Sequence, residues 1–257
     1  MVAVASSKLD SVPILGISFF SGNVQEAVEC IRGGGLLTAP SGPGLATDLL
    51  NSIEYRSALS ESTIVLADSG LLSLCNQILS INRSLRRISG LIFLQEFIKT
   101  IDFDKESCFW IMPDKDQADK NRQWLHANAG AEISEDRIYI APKYAEKESI
   151  LDEILLKKIE ASKPNYILLQ IGGGVQERLG LFLKNQLSYS PSIICTGAAL
   201  AFLSGCQTRI PTWADSFYLG WFLRCLANPT VFVPRYWGAL HLAFLVFKYR
   251  DKSPVFE

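Results

Sequence analysis

Short apolar runs alternate with amphipathic stretches along most of the chain. Each run is four to seven residues long and apolar at nearly every position, as is typical of strands that are covered on both faces. The predicted strands are 14–20, 36–39, 63–67, 108–112, 137–140, 166–171 and 192–195. The stretches between them carry apolar residues three and four positions apart, which indicates helices. The predicted helices are 24–31, 44–59, 71–81, 116–129, 147–161 and 175–186.

This alternation predicts an α/β fold, namely a Rossmann-like, doubly wound and mostly parallel sheet with helices on both faces. Ligands in such folds bind at the carboxyl ends of the strands, so the residues directly after each strand are the candidates for a functional site. We expect residues 1–207 to form the α/β domain and residues 208–257 to form a C-terminal helical appendage.

The expected appendage is rich in aromatic residues. Residues 213–249 contain eleven of the 27 aromatics in the chain, with basic side chains between them. Such a mixture on helices is typical of a surface that lies in a membrane interface. The alternative is a helical hairpin whose aromatics pack on the core or on another subunit. The sequence leaves both open.

Composition excludes several classes of protein. The chain is 48% hydrophobic with a net charge of −1, so it is neither disordered nor attracted by its charge to nucleic acid. The six cysteines include no CxxC pair, which disfavours a zinc ribbon. Lys8 and Asp10 interrupt the N-terminal apolar residues too early for a signal peptide, and no run suits a membrane span. We therefore expect a cytoplasmic protein.

Polar residues and glycines follow three of the predicted strands. A loop that runs from Thr38 through Ser41 precedes a helix, whose N-terminus suits a phosphate or sugar oxygen. Asp68 follows the third strand, where it is placed either as a general base or as the N-cap of the next helix. Arg87 stands before another helix and carries donors that can bind a diphosphate; the alternative is an arginine that is simply solvated.

Three consecutive glycines, Gly172, Gly173 and Gly174, follow the sixth predicted strand. They permit a ligand to approach the backbone closely at the start of a helix, which favours a phosphate-bearing ligand. The loop lacks the Gly-Lys-Ser/Thr of a Walker A motif, and Glu177 replaces the third glycine of the dinucleotide fingerprint. A nicotinamide-dependent oxidoreductase is therefore only weakly supported.

Two Asp-x-Asp triplets, at 102–104 and 114–116, have the spacing of a divalent-metal motif. The first lies in a charged loop and the second at a helix start, where solvation and capping explain them. We assign no metal and no cofactor.

A series of motifs follows in order over residues 172–238. It consists of Gly172-Gly-Gly-Val-Gln176-Glu177, Gly197-Ala-Ala-Leu-Ala-Phe-Leu-Ser-Gly205, Arg209-Ile-Pro211-Thr-Trp213, Leu219-Gly-Trp221-Phe-Leu-Arg224-Cys, Pro229 and Arg235-Tyr236. In order and spacing the series resembles the WecG/TagA/CpsF glycosyltransferase family (glycosyltransferase family 26). The N-terminal half is similar through Thr38, Asp68, Arg87 and Gly90.

The resemblance implies an inverting glycosyltransferase that moves an N-acetylhexosamine-type sugar from a UDP donor to a polyprenyl-diphosphate-linked acceptor. Such enzymes work at the inner face of the cell membrane in the synthesis of surface polysaccharide or cell-wall polymers. The resemblance makes Asp68 the general base and residues 1–207 the nucleotide-sugar-binding and catalytic domain. The substrate-binding residues that it implies are Thr38, Ser41, Arg87, Gly172, Gly173, Gly174, Gln176, Glu177, Arg209, Arg224 and Arg235.

The sequence also departs from the family pattern. Pro40, Ile92 and Gly220 stand where members often have Asn, Asp and Glu. These departures keep a second hypothesis open, a non-catalytic homologue that binds a sugar nucleotide or a partner transferase. The sequence does not identify the sugar or the oligomeric state. A homo-oligomer is one possibility that it leaves open.

Overall fold

The structure is a computed structural model that describes residues 10–79, 85–145, 149–207, 226 and 229–254. Its strands are β1 (Ser11–Ile14), β2 (Ile17–Phe20), β3 (Gly35–Thr38), β4 (Ile64–Val65), β5 (Cys108–Met112), β6 (Ile138–Ile140), β7 (Tyr166–Leu169) and β8 (Ser192–Cys195). Its helices are α1 (Val24–Ile31), α2 (Gly42–Asn51), α3 (Ile53–Ser60), α4 (Gly70–Ile78), α5 (Gly90–Thr100), α6 (Lys115–Ala129), α7 (Glu153–Ser162), α8 (Val175–Gln186), α9 (Ala199–Leu203) and α10 (Pro229–Tyr249).

A six-stranded sheet with the order β4-β3-β8-β7-β5-β6 forms the centre of the fold. Every pair of neighbours in it is parallel, and helices surround it, so the predicted α/β fold is confirmed. In the register of the sheet Thr38 stands beside both Val65 and Cys195, and Leu169 also stands beside Cys195. The carboxyl ends of β4, β3, β8 and β7 therefore lie side by side.

The first predicted strand, 14–20, was wrong as a single element. The chain instead forms an antiparallel hairpin of β1 and β2, apart from the main sheet. The turn residues Leu15 and Gly16 have φ angles of 54° and 75°, the left-handed conformation of a two-residue hairpin turn. Leu15 is buried, so the turn lies inside an apolar run and leaves no polar signal in the sequence.

The predicted helix 44–59 is divided into α2 and α3 at Ser52. The Ser52 backbone is extended, and its Oγ accepts a hydrogen bond of 3.1 Å from the Tyr55 amide. A residue in this role is an N-cap, which starts a new helix. The helix predicted at 147–161 begins later, at Glu153, because Asp152 caps it through the Leu155 amide.

The last turns of α10 pack into the body of the fold. Leu242, Leu245 and Val246 are at most 3% exposed and belong to the apolar cluster that α2, α4 and the hairpin share. Beyond the helix, the carbonyls of Arg250 and Asp251 accept hydrogen bonds from the amides of Leu15 and Gly16. The division into two domains at residue 208 stays a prediction. None of the helices in the described parts of the chain is long and apolar enough to cross a bilayer.

Candidate active site at the carboxyl edge of the sheet

Glycines make close contacts between the segments that follow β3, β4, β7 and β8. A Cβ built on Gly42 would lie 3.0 Å from the Ser69 Oγ, and one on Gly173 would lie 3.6 Å from the Ser41 Oγ. A Cβ built on Gly90, the first residue of α5, would lie 3.3 Å from the Thr196 carbonyl oxygen. The sheet order thus brings most of the predicted site residues to one edge.

Asp68 is half-buried at this edge, and both its side chain and its backbone carbonyl accept hydrogen bonds. Its Oδ1 accepts a hydrogen bond of 3.0 Å from the Gly90 amide, and its carbonyl accepts one of 3.1 Å from the Arg87 Nε. The carboxylate therefore sits at the N-terminus of α5, where the helix dipole favours a negative charge. The two predicted residues Asp68 and Arg87 lie together.

The capping role considered for Asp68 belongs to its neighbour. Ser69 is the N-cap of α4, and its Oγ accepts a hydrogen bond of 3.2 Å from the Leu72 amide. The Asp68 carboxylate is bonded instead to the start of a different helix, α5, which lies beyond residues 80–84 in the chain. This long-range contact removes the local explanation for the aspartate.

The glycine loop after β7 is exposed at Gly172 and Gly173. Apart from its chain neighbours, none of the residues that the structure describes has an atom within 4 Å of a Cβ built on Gly172. Gly174 has a φ of +84°, and a Cβ on it would lie 2.7 Å from an oxygen of the Asp48 carboxylate. A side chain at position 174 would therefore strain the backbone, and the Asp48 carboxylate would have to shift to make room for it.

Gln176 and Glu177 are buried just behind this loop, at 3% and 0% exposure. The Gln176 Oε1 accepts a hydrogen bond of 2.7 Å from the Gly197 amide, and its Nε2 donates one of 3.0 Å to the Glu177 Oε1. The Glu177 Oε2 accepts one of 2.7 Å from the Gly174 amide. The side chains of Gln176 and Glu177 thus bond to each other and to backbone amides of the protein.

Thr38 and Ser41 have different positions in the loop after β3. Thr38 is fully buried, and its Oγ1 lies 3.1 Å from the Ser62 Oγ. Ser41 is half-buried, and it caps α2 through a hydrogen bond of 3.3 Å from the Gly44 amide. Ser41 thus borders the glycine loop, whereas Thr38 lies one layer beneath the surface.

Sequence reasoning missed two buried polar residues, Gln170 and Thr196, which directly follow β7 and β8. The Gln170 Nε2 donates a hydrogen bond of 2.8 Å to the Thr196 Oγ1, and the Gln170 Oε1 accepts one of 3.1 Å from the Leu200 amide. These bonds fix the two strand ends against each other and start α9. The sequence signal that could have identified Gln170 and Thr196 is a polar residue directly after an apolar strand.

Four helices of eight or more residues, α2, α4, α5 and α8, begin at this edge. Each N-terminus carries a partial positive charge, which favours an anionic group. Arg87 adds a formal positive charge among them. The site therefore suits a ligand that carries phosphate.

Arg209 and Arg224 lie outside the described residues. Arg235 falls within α10, but its side chain is also outside the described part. The proposed contribution of these three arginines to substrate binding therefore stays a prediction.

The Asp-x-Asp triplets have local hydrogen-bonding roles. The Asp114 Oδ1 caps α6 by accepting a bond of 2.7 Å from the Gln117 amide, and Asp102 pairs with Lys105 at 2.6 Å. Within the described ranges, no group of three or more His, Cys, Asp and Glu side chains is arranged to hold a metal ion.

Burial raises the pKa of the Glu177 carboxyl from 4.5 to about 7, and the nearby Asp48 contributes in the same direction. Glu177 in turn helps to raise the pKa of Tyr55 and of Cys195, which also face it. The folded protein therefore holds a proton at Glu177 that the unfolded chain has released between pH 4.5 and pH 7.

From this group the free energy of unfolding should fall by roughly 3 kcal/mol as the pH rises from 4.5 to 7, because in this range the unfolded chain has released a proton that the folded state still binds. Urea unfolding across this range measures the slope. The Glu177→Gln variant should show a shallower fall, since its side chain does not titrate. An unchanged slope in that variant would assign the pH dependence to other groups.

Comparison with known families gives a match to the family described as Glycosyl transferase WecG/TagA/CpsF, and the match covers residues 12–254. No curated protein matches the chain.

Proposed function

The chain belongs to the WecG/TagA/CpsF glycosyltransferase family and is a transferase of polysaccharide synthesis, and from that premise we propose its donor, its acceptor and its base. The donor is a UDP-linked N-acetylhexosamine-type sugar, and the acceptor is a sugar on a polyprenyl diphosphate. Transfer proceeds with inversion, and Asp68 is the general base. The resemblance drawn from the sequence is confirmed by the family match; these finer assignments are the proposal.

The placement of Asp68 carries the proposal. Asp68 is half-buried at the edge where a ligand binds in this fold; the Gly90 amide bonds its carboxylate, and Arg87 bonds its backbone carbonyl. The contacts between Ser69 and Gly42, and between Ser41 and Gly173, connect it to the exposed glycine loop. The proposed base and the proposed phosphate-binding loop thus lie on segments that contact one another at the same edge of the sheet.

In the proposed reaction the oxygen of the acceptor hydroxyl attacks the anomeric carbon of the donor sugar, and Asp68 takes the proton of that hydroxyl. The bond from that carbon to the UDP oxygen breaks on the opposite face, and its electron pair leaves with UDP. The proton on Asp68 then passes to solvent. Positioned bases of this kind contribute about 10²- to 10⁴-fold to a rate.

The negative charge that develops on the leaving UDP needs positive partners. Arg87, the helix N-termini at this edge and the exposed backbone of Gly172 and Gly173 supply them in the proposal. Thr38 and Gln176 are buried and already hydrogen-bonded, so they support this surface from beneath it.

The outer side of α10 supports the proposed contact with a membrane surface. Phe244 and Phe247 are 54% and 63% exposed, and Lys248 lies 5.9 Å from the Phe244 ring centroid. Exposed aromatics beside a lysine suit the interface of a bilayer with anionic lipids. A lipid-linked acceptor would be presented at that interface, on the cytoplasmic face of the membrane.

Replacing both Phe244 and Phe247 by serine should weaken binding to vesicles that contain phosphatidylglycerol by about 10-fold or more, because the apolar area that enters the interface is lost. Co-sedimentation with the vesicles measures the effect. Ile140→Ser is the matched control, since Ile140 is 41% exposed on the edge strand β6. Equal vesicle binding by the double variant and the wild type would contradict the membrane contact.

The experiment that tests the proposed function is UDP release from a panel of UDP-N-acetylhexosamines and related uronic acids, with and without a prenyl-diphosphate-linked sugar. Release that depends on the acceptor supports the transferase with this donor class. Binding of a UDP-sugar without release, for every acceptor in the panel, would favour the non-catalytic homologue. A chain that binds none of the donors would overturn the proposal.

A further inference from the structure

A chain of three hydrogen bonds connects the loop after β7 to the loop after β8. It runs from the Gly174 amide to Glu177, from Glu177 to Gln176, and from Gln176 to the Gly197 amide, with lengths of 2.7, 3.0 and 2.7 Å. We call these two side chains and their three bonds the Gln-Glu clasp. It joins the two strand ends just behind the exposed glycines.

The clasp is buried from solvent, and each donor in it is paired with an acceptor. Gln176 and Glu177 are 3% and 0% exposed, and the Gln176 carbonyl also accepts from the Cys195 thiol at 3.4 Å. Gly174 and Gly197, at the two ends, have φ angles of +84° and +61°, so each end fixes a left-handed residue. A buried network of this kind holds one geometry because a broken bond leaves a polar group without a partner.

We propose that Gln176 and Glu177 are positioning residues, which hold the glycine loop in its donor-binding shape and do not contact the donor themselves. This inference rests on the proposed function, because it assigns the donor to Gly172 and Gly173. It replaces the role in substrate contact that the family resemblance implied for Gln176 and Glu177.

The exposed glycines lie directly before the clasp, so the clasp can fix their position. Gly172 and Gly173 make few contacts with the other described residues: beyond its chain neighbours a Cβ on the first would meet none of them within 4 Å, and one on the second would meet the Ser41 Oγ at 3.6 Å. The nearest fixed point after them is the Gly174 amide, which Glu177 holds. A shift of about 1 Å in a binding loop is enough to cost up to 100-fold in rate.

The test exchanges the two side chains. In Glu177→Gln the new amide faces the Gln176 amide, so donor meets donor and one bond of the clasp is lost. In the double variant Q176E/E177Q the polarity of the middle bond is reversed, and both glycine amides keep an acceptor. The double variant therefore restores the clasp, whereas Gln176→Glu alone sets two carboxylates together at pH 8.

Steady-state kinetics with the UDP-sugar found in the release assay should show a rise of about 10-fold in donor KM for each single variant, with acceptor KM unchanged. The double variant should return donor KM to within about 3-fold of wild type. Gln186→Glu is the control, because Gln186 is exposed at the far end of the same helix. Proton exchange of the Gly174 and Gly197 amides, followed by NMR, reports the clasp without any substrate.

Faster exchange of both amides in the single variants, and recovery of exchange and of donor KM in the double variant, support the inference. Two results overturn it: exchange that is unchanged in the single variants, or faster exchange at an unchanged donor KM. A wild-type protein that binds no UDP-sugar refutes the proposed function instead. In that case the exchange data still decide whether the clasp holds the loop.

Discussion

Replacing Asp68 by asparagine is expected to lower turnover by about 10²- to 10⁴-fold and to leave the affinity for the UDP-sugar nearly unchanged. Asparagine has the same shape, and its oxygen can still accept the hydrogen bond from the Gly90 amide that Asp68 accepts at 3.0 Å. It cannot take a proton from the acceptor hydroxyl. Turnover is measured as acceptor-dependent UDP release, and donor affinity is measured by calorimetric titration.

The same substitution at Asp136, an exposed carboxylate ahead of β6, is the control and should leave both quantities unchanged. Turnover of Asp68→Asn within a few-fold of wild type would show that another group accepts the proton. A loss of donor affinity as large as the loss of turnover would instead assign Asp68 to the binding of the donor.

Leu242→Ala is expected to lower the free energy of unfolding by about 2–5 kcal/mol, the usual cost of deleting a fully buried leucine side chain. Leu242 is 0% exposed in the cluster shared with α2 and α4, and a Cβ on Gly42 would lie 3.8 Å from its Cδ2. The truncation therefore leaves a cavity beneath the first turn of α2. Urea unfolding measures the change in stability.

Phe247→Ala provides the comparison from the same helix. Phe247 is 63% exposed, so its truncation should change the free energy of unfolding by no more than about 0.5 kcal/mol. Equal effects of the two substitutions would contradict the packing of the last turns of α10 into the core. The two faces of this helix thus separate stability from the proposed contact with a membrane.

The main sheet and several helices were predictable because their signals are local. The predicted bounds of α1 and α8 agree with the structure. Asn23 and Glu26 form a capping box that starts α1, and both residues are visible in the sequence. The hairpin was not predictable in the same way, because its turn falls at a buried leucine where the sequence shows only a continuous apolar run.

The place of the candidate residues at the strand ends was predictable, but their contacts were not. Position after an apolar strand pointed to Asp68 and to the glycine loop, since the fold rule concerns strand ends alone. The bond from Asp68 to Gly90 depends on how α5 packs, and the clasp between Gln176 and Gly197 depends on two strands that meet in the sheet. Such contacts are set by tertiary structure, which no local pattern records.

The hydrogen bonds from Leu15 and Gly16 to the carbonyls of Arg250 and Asp251 have a consequence for synthesis on the ribosome. The hairpin turn is translated well before the backbone that completes it, which lies more than 200 residues further along the chain. At roughly 5–20 residues per second, about 10–50 s pass between the two. During that interval the growing chain exposes the apolar surface that Leu242 and its neighbours later cover.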